Sequence, residues 1–410
     1  MIGRRPELLA PAGTPSKLET AFHFGADAVY LGLKRLSMRS SAGNFDWDEL
    51  EWALGYAHER GRRVYVALNI QPFDDDFAAI EDTLRRLEQL RPDAVIIADP
   101  GVVALARSLA PSVPVHLSTQ ASVTNAPAAR AWATHGISRI CVARELTLER
   151  LGAVVGGAPE VEIEAFVHGA VCIAWSGRCF LSLYWADRDA RTGSCAQACR
   201  WPYRDLEDRR RPGEANRIEG DERGTYFFDA KDLCALPVLE GLVDSGVVSL
   251  KIEGRTRSEI YVGIVVDVYR DALDLLAAGD LEGLRARRPL HEAELGRLTN
   301  RGFSTHFYSG GEPGPEAYNP EGSLLQNANT FVGRVTRRLA DGVELALRNP
   351  VRRGDRLELR DRGLRCVPCT VNELRDSQGR AIERGLSTQT VVLAGAFDVE
   401  AGALVRFAAP

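Results

Sequence analysis

The sequence predicts an α/β chain: a TIM-like (β/α)8 barrel with a cysteine-rich insertion, plus a small C-terminal antiparallel β-barrel domain. Three observations carry that prediction. Over the first 255 residues, short β-branched runs alternate with amphipathic stretches of roughly 12 to 20 residues, the pattern of repeated βα units. Seven of the eight apolar runs lead into turn or polar residues, which a closed parallel barrel would gather at one mouth. Beyond Phe331 the pattern changes to short alternating strands with turn signals.

The eight strands are expected at residues 7–10, 28–31, 64–68, 94–97, 115–118, 140–142, 163–167 and 248–252. Between them, residues 47–60, 77–90 and 127–134 repeat apolar side chains at three and four, as helices facing a core do. An open doubly wound sheet is the alternative. The barrel is preferred because Pro11-Ala12-Gly13, Asn69, Asp99, Gln120, Arg144-Glu145, His168 and Glu253-Gly254-Arg255 each follow an apolar run. The division expected is a barrel over residues 1–280 carrying an insertion at 168–247, a linker and extended segment at 281–330, and the small β-barrel at 331–410. Within the insertion a strand is expected at 226–228 and a helix at 236–244; a further helix follows at 258–278.

Composition narrows the function. A formal net charge of -5 excludes a generic polyanion-coating protein, so any nucleic-acid contact must be a local patch. The most apolar stretches are interrupted by Asp99 and Pro100, and by Asp267, Arg270 and Asp271, so neither spans a membrane. The N-terminal residues lack a secretory apolar run, and a cytoplasmic location is expected. Cysteines in such a compartment are better read as metal or redox ligands than as disulfides. Five of the eight lie in the 63 residues from Cys172 to Cys234, where random placement would put about one.

Cys172 and Cys179 enclose six residues, Cys195 and Cys199 three, and Cys234 lies further on. Any four could meet around one centre, and thiolate ligation suits zinc or an iron-sulfur cluster. A spacing of six is wide for a zinc knuckle and more natural for a 4Fe-4S cluster. The bland alternative is that these are small buried hydrophobes.

His168, directly after the seventh strand, is a candidate proton shuttle, or simply a histidine bonded to backbone. Lys251 and Glu253 share one side of the eighth strand and could form an ion pair in the lumen, while Arg255 could fork onto a carboxylate; a structural layer of the barrel would use the same residues. The candidate substrate contacts are Asn69, Gln120, Asn125, Glu145, Arg178 and Arg200. Around Arg200, the run Arg200-Trp201-Pro202-Tyr203-Arg204 mixes guanidiniums with aromatics, as single-stranded RNA sites do and as solvated loops also do. Cys366-Val367-Pro368-Cys369 has no second half nearby and reads as incidental, and Cys141 as a core residue. Proteolysis lacks support: His58-Glu59 has no second histidine of the zinc-protease pattern, and no Gly-x-Ser-x-Gly elbow occurs.

The string Phe166-Val167-His168-Gly169-Ala170-Val171-Cys172, with Ser176-Gly177-Arg178-Cys179 and residues 195–201, resembles the signature of peptidase family U32, the collagenase-like group. Residues 7–13, 27–32, 120–125, 229–234, 249–255 and 300–307 extend the likeness, which spans about residues 7–310, with a looser likeness beyond. The resemblance implies a barrel with an oxygen-sensitive 4Fe-4S cluster and activity in oxygen-independent hydroxylation. The branch it is most similar to supports formation of 5-hydroxyuridine at the tRNA wobble position and draws on prephenate. Hydroxylation of a 23S rRNA cytidine by the same chemistry is the second reading, and a U32-type peptidase the third. By the same likeness the cluster ligands are Cys172, Cys179, Cys195 and Cys234, with Cys199 as the alternative. tRNA is then the expected partner, rRNA the alternative, and a partner protein or homo-oligomer is left open.

Overall fold

The computed structural model describes residues 5–37, 43–172, 174–175, 179–190, 195–201, 230–310, 317–319 and 330–408. Eight strands run parallel and close on themselves: β1 (Glu7–Pro11), β2 (Ala28–Gly32), β3 (Arg63–Ala67), β4 (Ala94–Ile97), β5 (Val115–Leu117), β6 (Ile137–Cys141), β7 (Glu162–Gly169) and, completing the ring, β9 (Ser249–Ile252). The last of these pairs with β7 on one side (Ala165 with Leu250) and with β1 on the other (Leu8 with Leu250). The expected barrel is present.

Helices α1 (Pro15–His23), α2 (Trp47–His58), α3 (Phe77–Leu90), α4 (Pro100–Leu109), α5 (Ala126–Thr134) and α6 (Leu148–Gly157) make the first six crossovers. Their starts are chemically marked. Asp46 and Glu49 form a reciprocal capping box on α2, Asp99 caps α4 ahead of Pro100, and Thr147 caps α6.

The seventh crossover is the anomalous one. It holds α7 (Leu181–Ala186), a short strand β8 (Asp232–Cys234) and α8 (Leu239–Asp244). β8 turns back antiparallel along the end of β7, pairing His168 with Cys234 and Gly169 with Leu233. Gly169 also lets the backbone at Glu253 come close to the same strand end: its φ is +112°, and a Cβ there would lie 2.5 Å from the Glu253 carbonyl oxygen. The strand expected at 226–228 lies outside the described residues.

Residues 281–330 are not a plain linker. α9 (Glu259–Ala277) is followed at once by α10 (Leu281–Gly296), whose Asp280 caps it, and then by β10 (Phe303–Ser304), which pairs parallel with β8. The proline at 289 and the glycines disguised a helix that is ordered by buried charges.

The chain divides into two compact units, and the division does not follow the sequence boundary. The first comprises residues 1–18, 27–256 and 300–325; the second comprises 19–26, 257–299 and 326–410. The second unit carries the expected antiparallel sheet, eight strands from Phe331–Leu339 to Leu404–Phe407, whose inward faces share one core of Val332, Val343, Leu357, Val391, Val405 and their neighbours. Within that unit Asp267 of α9 accepts the N–H groups of Gly363 (2.7 Å) and Leu364 (2.9 Å), and Arg406 binds Glu294 through two bonds of 2.9 and 3.0 Å. Cys366 and Cys369, three apart on one strand, fall on opposite faces, Cys366 exposed and Cys369 against the core. No helix among the described residues is long and apolar enough to cross a membrane.

Candidate functional site

The lumen of the barrel is polar where most barrels of this kind are filled with branched aliphatics. Strand alternation turns Glu7, Tyr65, His116, Arg139, Glu164, Ser249 and Lys251 inward, and all seven are buried. Six of them form a continuous chain of bonds, and the His116 ring packs edge-on against Tyr65. Lys251 Nζ reaches Glu164 at 2.8 Å; Ser249 Oγ lies 3.1 Å from both Glu164 and Glu7; Tyr65 donates to Glu7 at 2.7 Å and Arg139 at 2.6 Å. Arg139 then meets Glu162 at 2.8 Å, at the opposite end of the barrel.

Burial alone would raise the Glu164 carboxyl, but Lys251 and Arg139 outweigh it and hold the group down to about 2. Burial works against the Lys251 ammonium and Glu164 reverses that, so the lysine stays charged with its pKa raised. His116 is pushed down to about 3 by burial first and Arg139 second, which makes it a neutral imidazole inside the network. Burial pushes the Cys141 thiol up to about 12, in keeping with a core residue.

At the C-terminal ends of the strands the lumen opens into a pocket. Its walls include Tyr30, Asn69, Ser118, Gln120, Arg144, Phe166, Cys172, Lys251, Glu253 and Arg255. Gln120 Oε1 accepts from Asn69 Nδ2 (2.8 Å) and from Ser118 Oγ (2.9 Å). Arg144 lies 3.8 Å over the Phe166 ring and donates from Nη1 to the Ala170 carbonyl at 2.7 Å. Lys251 Nζ stands 4.6 Å from the Tyr30 ring centre, a cation–π contact at the pocket floor. The Arg255 guanidinium fills the space over Gly32, where a Cβ would meet Nη1 at 2.1 Å.

Several expected residues are placed differently. Lys251 pairs with Glu164, not with Glu253: the strand ends at Ile252, so Glu253 sits beyond the alternation that would have aligned the two. His168 is buried and outside the pocket walls, its ring 5.5 Å from Phe303, because the register shifts between Phe166 and His168. Asn125 spends its side chain capping α5, accepting from Ala128 N at 2.9 Å. Glu145 is half-buried and also outside the walls, and its neighbour Arg144 takes the place instead. Arg178 and the side chain of Arg200 lie outside the described residues. The residues that sequence reasoning missed are Glu164, Arg144, Tyr30 and Phe166. Carboxylates at 162 and 164 inside an otherwise apolar strand were the available signal.

The clustered cysteines are all free thiols. Cys172 is on the pocket wall and Cys234 is buried on β8, beside the end of β7. Cys179 precedes α7; Cys195 and Cys199 flank a short strip tied to that helix by a bond from Ala196 N to Ser182 Oγ (2.8 Å). Their soft donors suit an iron-sulfur cluster, but among the described residues no three cysteine, histidine or carboxylate groups stand close enough to hold a metal.

Comparison with known proteins adds the biological context. The family model described as Peptidase family U32 matches residues 13–317, and that of the Peptidase family U32 C-terminal domain matches 327–406. The tRNA hydroxylation protein P of Escherichia coli (strain K12) is 36% identical over 87% of this chain and 86% of its own length. The tRNA hydroxylation protein P1 of Bacillus subtilis (strain 168) is 35% identical over 93% and 90%. The 23S rRNA 5-hydroxycytidine C2501 synthase of Escherichia coli (strain K12) is 31% identical over 87% of this chain and 52% of its own.

Proposed function

Because this chain belongs to peptidase family U32, we propose that it is an RNA-modifying enzyme supporting oxygen-independent hydroxylation of the tRNA wobble uridine to 5-hydroxyuridine, with prephenate as co-substrate. The observation that carries the reading is the pocket at the barrel mouth. It joins three cationic side chains, Arg144, Lys251 and Arg255, to the aromatic faces of Tyr30 and Phe166, with Cys172 on the same wall. A cyclic dicarboxylate needs both the charge and the flat apolar surface. Lys251 serves as a fixed positive charge, held in place by Glu164, and Arg255 as a carboxylate clamp.

A 4Fe-4S cluster held by Cys172, Cys179, Cys195 and Cys234, with Cys199 as the alternative fourth thiol, belongs to the same proposal. It is supported by five unoxidised thiols in the crossover that rises from the barrel mouth. Such a cluster, when bound, supplies electron transfer or a Lewis-acidic iron.

The peptidase reading is weaker. A hydrolase needs an activated nucleophile, and among the described residues the pocket walls offer Ser118, Thr119 and Cys172 without a histidine beside them.

The test is mass spectrometry of tRNA and rRNA nucleosides from a deletion strain, complemented with the wild-type chain or with Lys251→Met. Loss of 5-hydroxyuridine derivatives, restored by the wild type alone, is the expected result. Intact tRNA with altered 23S rRNA would move the activity to the cytidine, and no change in either RNA would refute the proposal. Protein purified without oxygen should be brown, absorb at about 400 nm and carry iron and sulfide; a colourless zinc protein would remove the cluster.

A further inference from the structure

We propose that the C-terminal β domain grips the phosphodiester backbone of an RNA through Arg352 and Arg384, two arginines that face each other across a short strand pair. That the polyanion is an RNA rests on the reading of this chain as an RNA-modifying enzyme; the surface assigned to it belongs to the second compact unit.

Charge is unevenly divided along the chain. Between Phe331 and Pro410 stand fourteen arginines, no lysine and ten acidic residues, a net of +4 in a chain whose total is -5. Such a protein can hold a polyanion only where cations are locally concentrated. Many of these arginines are already engaged by carboxylates, as Arg337 is by Glu344, Arg362 by Glu400 and Arg380 by Asp376. Arg352, Arg356 and Arg384 are different. All three are exposed, and among the described residues their guanidiniums have neither an ion pair nor a hydrogen bond.

The strand Val351–Arg352 pairs antiparallel with Arg384–Gly385. Its inner pair is structural: Val351 is buried in the domain core, and a Cβ on Gly385 would lie 2.6 Å from Leu347. Strand alternation turns the next pair, Arg352 and Arg384, to the opposite face. Arg353 N donates to the Glu383 carbonyl at 3.0 Å, which makes 353 and 383 a bonded pair and 352 and 384 the non-bonded pair beside it. Side chains approach most closely in non-bonded pairs, and like charges set opposite each other there destabilise a sheet. Guarding a strand edge against aggregation calls for charge, but not for two facing charges of one sign.

The nearby carboxylates do not relieve the repulsion. Asp355 accepts the Arg352 N–H at 2.7 Å, and Glu383, 83% exposed, stands 3.5 Å from Arg353. A bridging phosphate would turn repulsion into attraction, because each guanidinium presents a planar fork to its oxygens. The pair stands on an open strand face, which suits the backbone of a polymer better than a small anion in need of enclosure.

The experiment is fluorescence anisotropy of a labelled, unmodified tRNA transcript titrated with the full-length protein over a series of salt concentrations. Arg352→Gln/Arg384→Gln should weaken binding by about tenfold and lower the slope of log affinity against log salt by about 2. Its melting temperature should hold or rise, because the like-charged pair is gone. Arg352→Lys/Arg384→Lys should keep the salt slope. Arg362→Gln/Arg380→Gln, which removes two arginines already held by carboxylates, should bind as the wild type does. A wild type that does not bind the transcript, unchanged affinity in folded Arg352→Gln/Arg384→Gln, or an equal loss in Arg362→Gln/Arg380→Gln would each overturn the proposal. Phosphatidylglycerol vesicles are the second probe: vesicle binding lost in Arg352→Gln/Arg384→Gln while RNA binding is kept would give the surface to a membrane and overturn it too. Since no modified nucleoside is read, hydroxylation can fail its own test while this surface stands, and the surface can fail while hydroxylation stands.

Discussion

Removing the ammonium of Lys251 should destabilise the barrel by an amount that the lumen geometry sets. Glu164 is buried, accepts from Lys251 at 2.8 Å and has its carboxyl held at about 2, against an ordinary value of 4.5. That depression corresponds to about 3 kcal/mol of folding free energy. The sign follows from its direction: the contribution is complete above the unfolded pKa near 4.5 and is lost as pH falls through about 2. In Lys251→Met the carboxylate keeps Ser249 and a more distant Arg139 at 3.8 Å, and loses its nearest cation. Breaking a buried pair from one side costs about 3 to 5 kcal/mol. At roughly 2 to 4 °C per kcal/mol for a unit of this size, the melting temperature at pH 7 should fall by about 6 to 20 °C. The double variant Glu164→Leu/Lys251→Met removes both charges and should recover most of that loss. Thermal unfolding followed by circular dichroism reads the wild type, the single variants Lys251→Met and Glu164→Leu, and the double variant. A single variant melting within about 1 °C of the wild type, or a double variant showing the summed loss, would refute the reasoning.

Other perturbations report on separate parts of the molecule. Burial pushes the Asp267 carboxyl up to about 7 against its bonds from Leu364 and Gly363, so its contribution to stability is full below about 3.8 and is lost as pH rises through 7. The difference in melting temperature between wild type and Asp267→Asn should therefore change over that window, and a constant difference from pH 4 to 8 would contradict it. Gly169→Ala must place a Cβ 2.5 Å from the Glu253 carbonyl at a φ of +112°, so soluble yield and melting temperature should both drop. Gly32→Ala instead meets the movable tip of Arg255; pocket binding should suffer more than stability, as titration against melting will show. Asn125→Ala should cost about 1 kcal/mol through the lost cap and leave 5-hydroxyuridine formation in the complemented deletion strain unchanged, where a substrate-binding role would show the reverse.

The barrel was legible because its strands are apolar on both faces and its helices carry regular stripes and capping residues. The reading faltered where charge enters that pattern. Strand six was expected from 140, since Arg139 breaks the apolar run, yet β6 begins at Ile137 because Glu7 and Glu162 neutralise that arginine. Glu164 was passed over for the same reason: a carboxylate acquires its meaning from Lys251, 87 residues away. Asn69, Gln120 and Arg255 could be singled out from their places after apolar runs, while Arg144 and Glu145 could not be told apart, because a one-residue change of direction at a strand end lies beyond what pattern resolves. The short β8 has no period of its own, being only three residues long and defined by its neighbours β7 and β10.

That same short strand gives the long crossover a clamped base. His168 faces Cys234 and Gly169 faces Leu233, so the excursion leaves and re-enters the barrel within one ladder. The entropy of closing so large a loop is thus met by main-chain pairing, independently of anything the loop encloses. Oxidation or nicking inside the excursion is consequently insulated from the eight-stranded ring. If the proposed cluster is bound there, a chain that loses it in air should keep its barrel signature in the far ultraviolet, and rebuilding the site becomes a local folding problem in place of a global one.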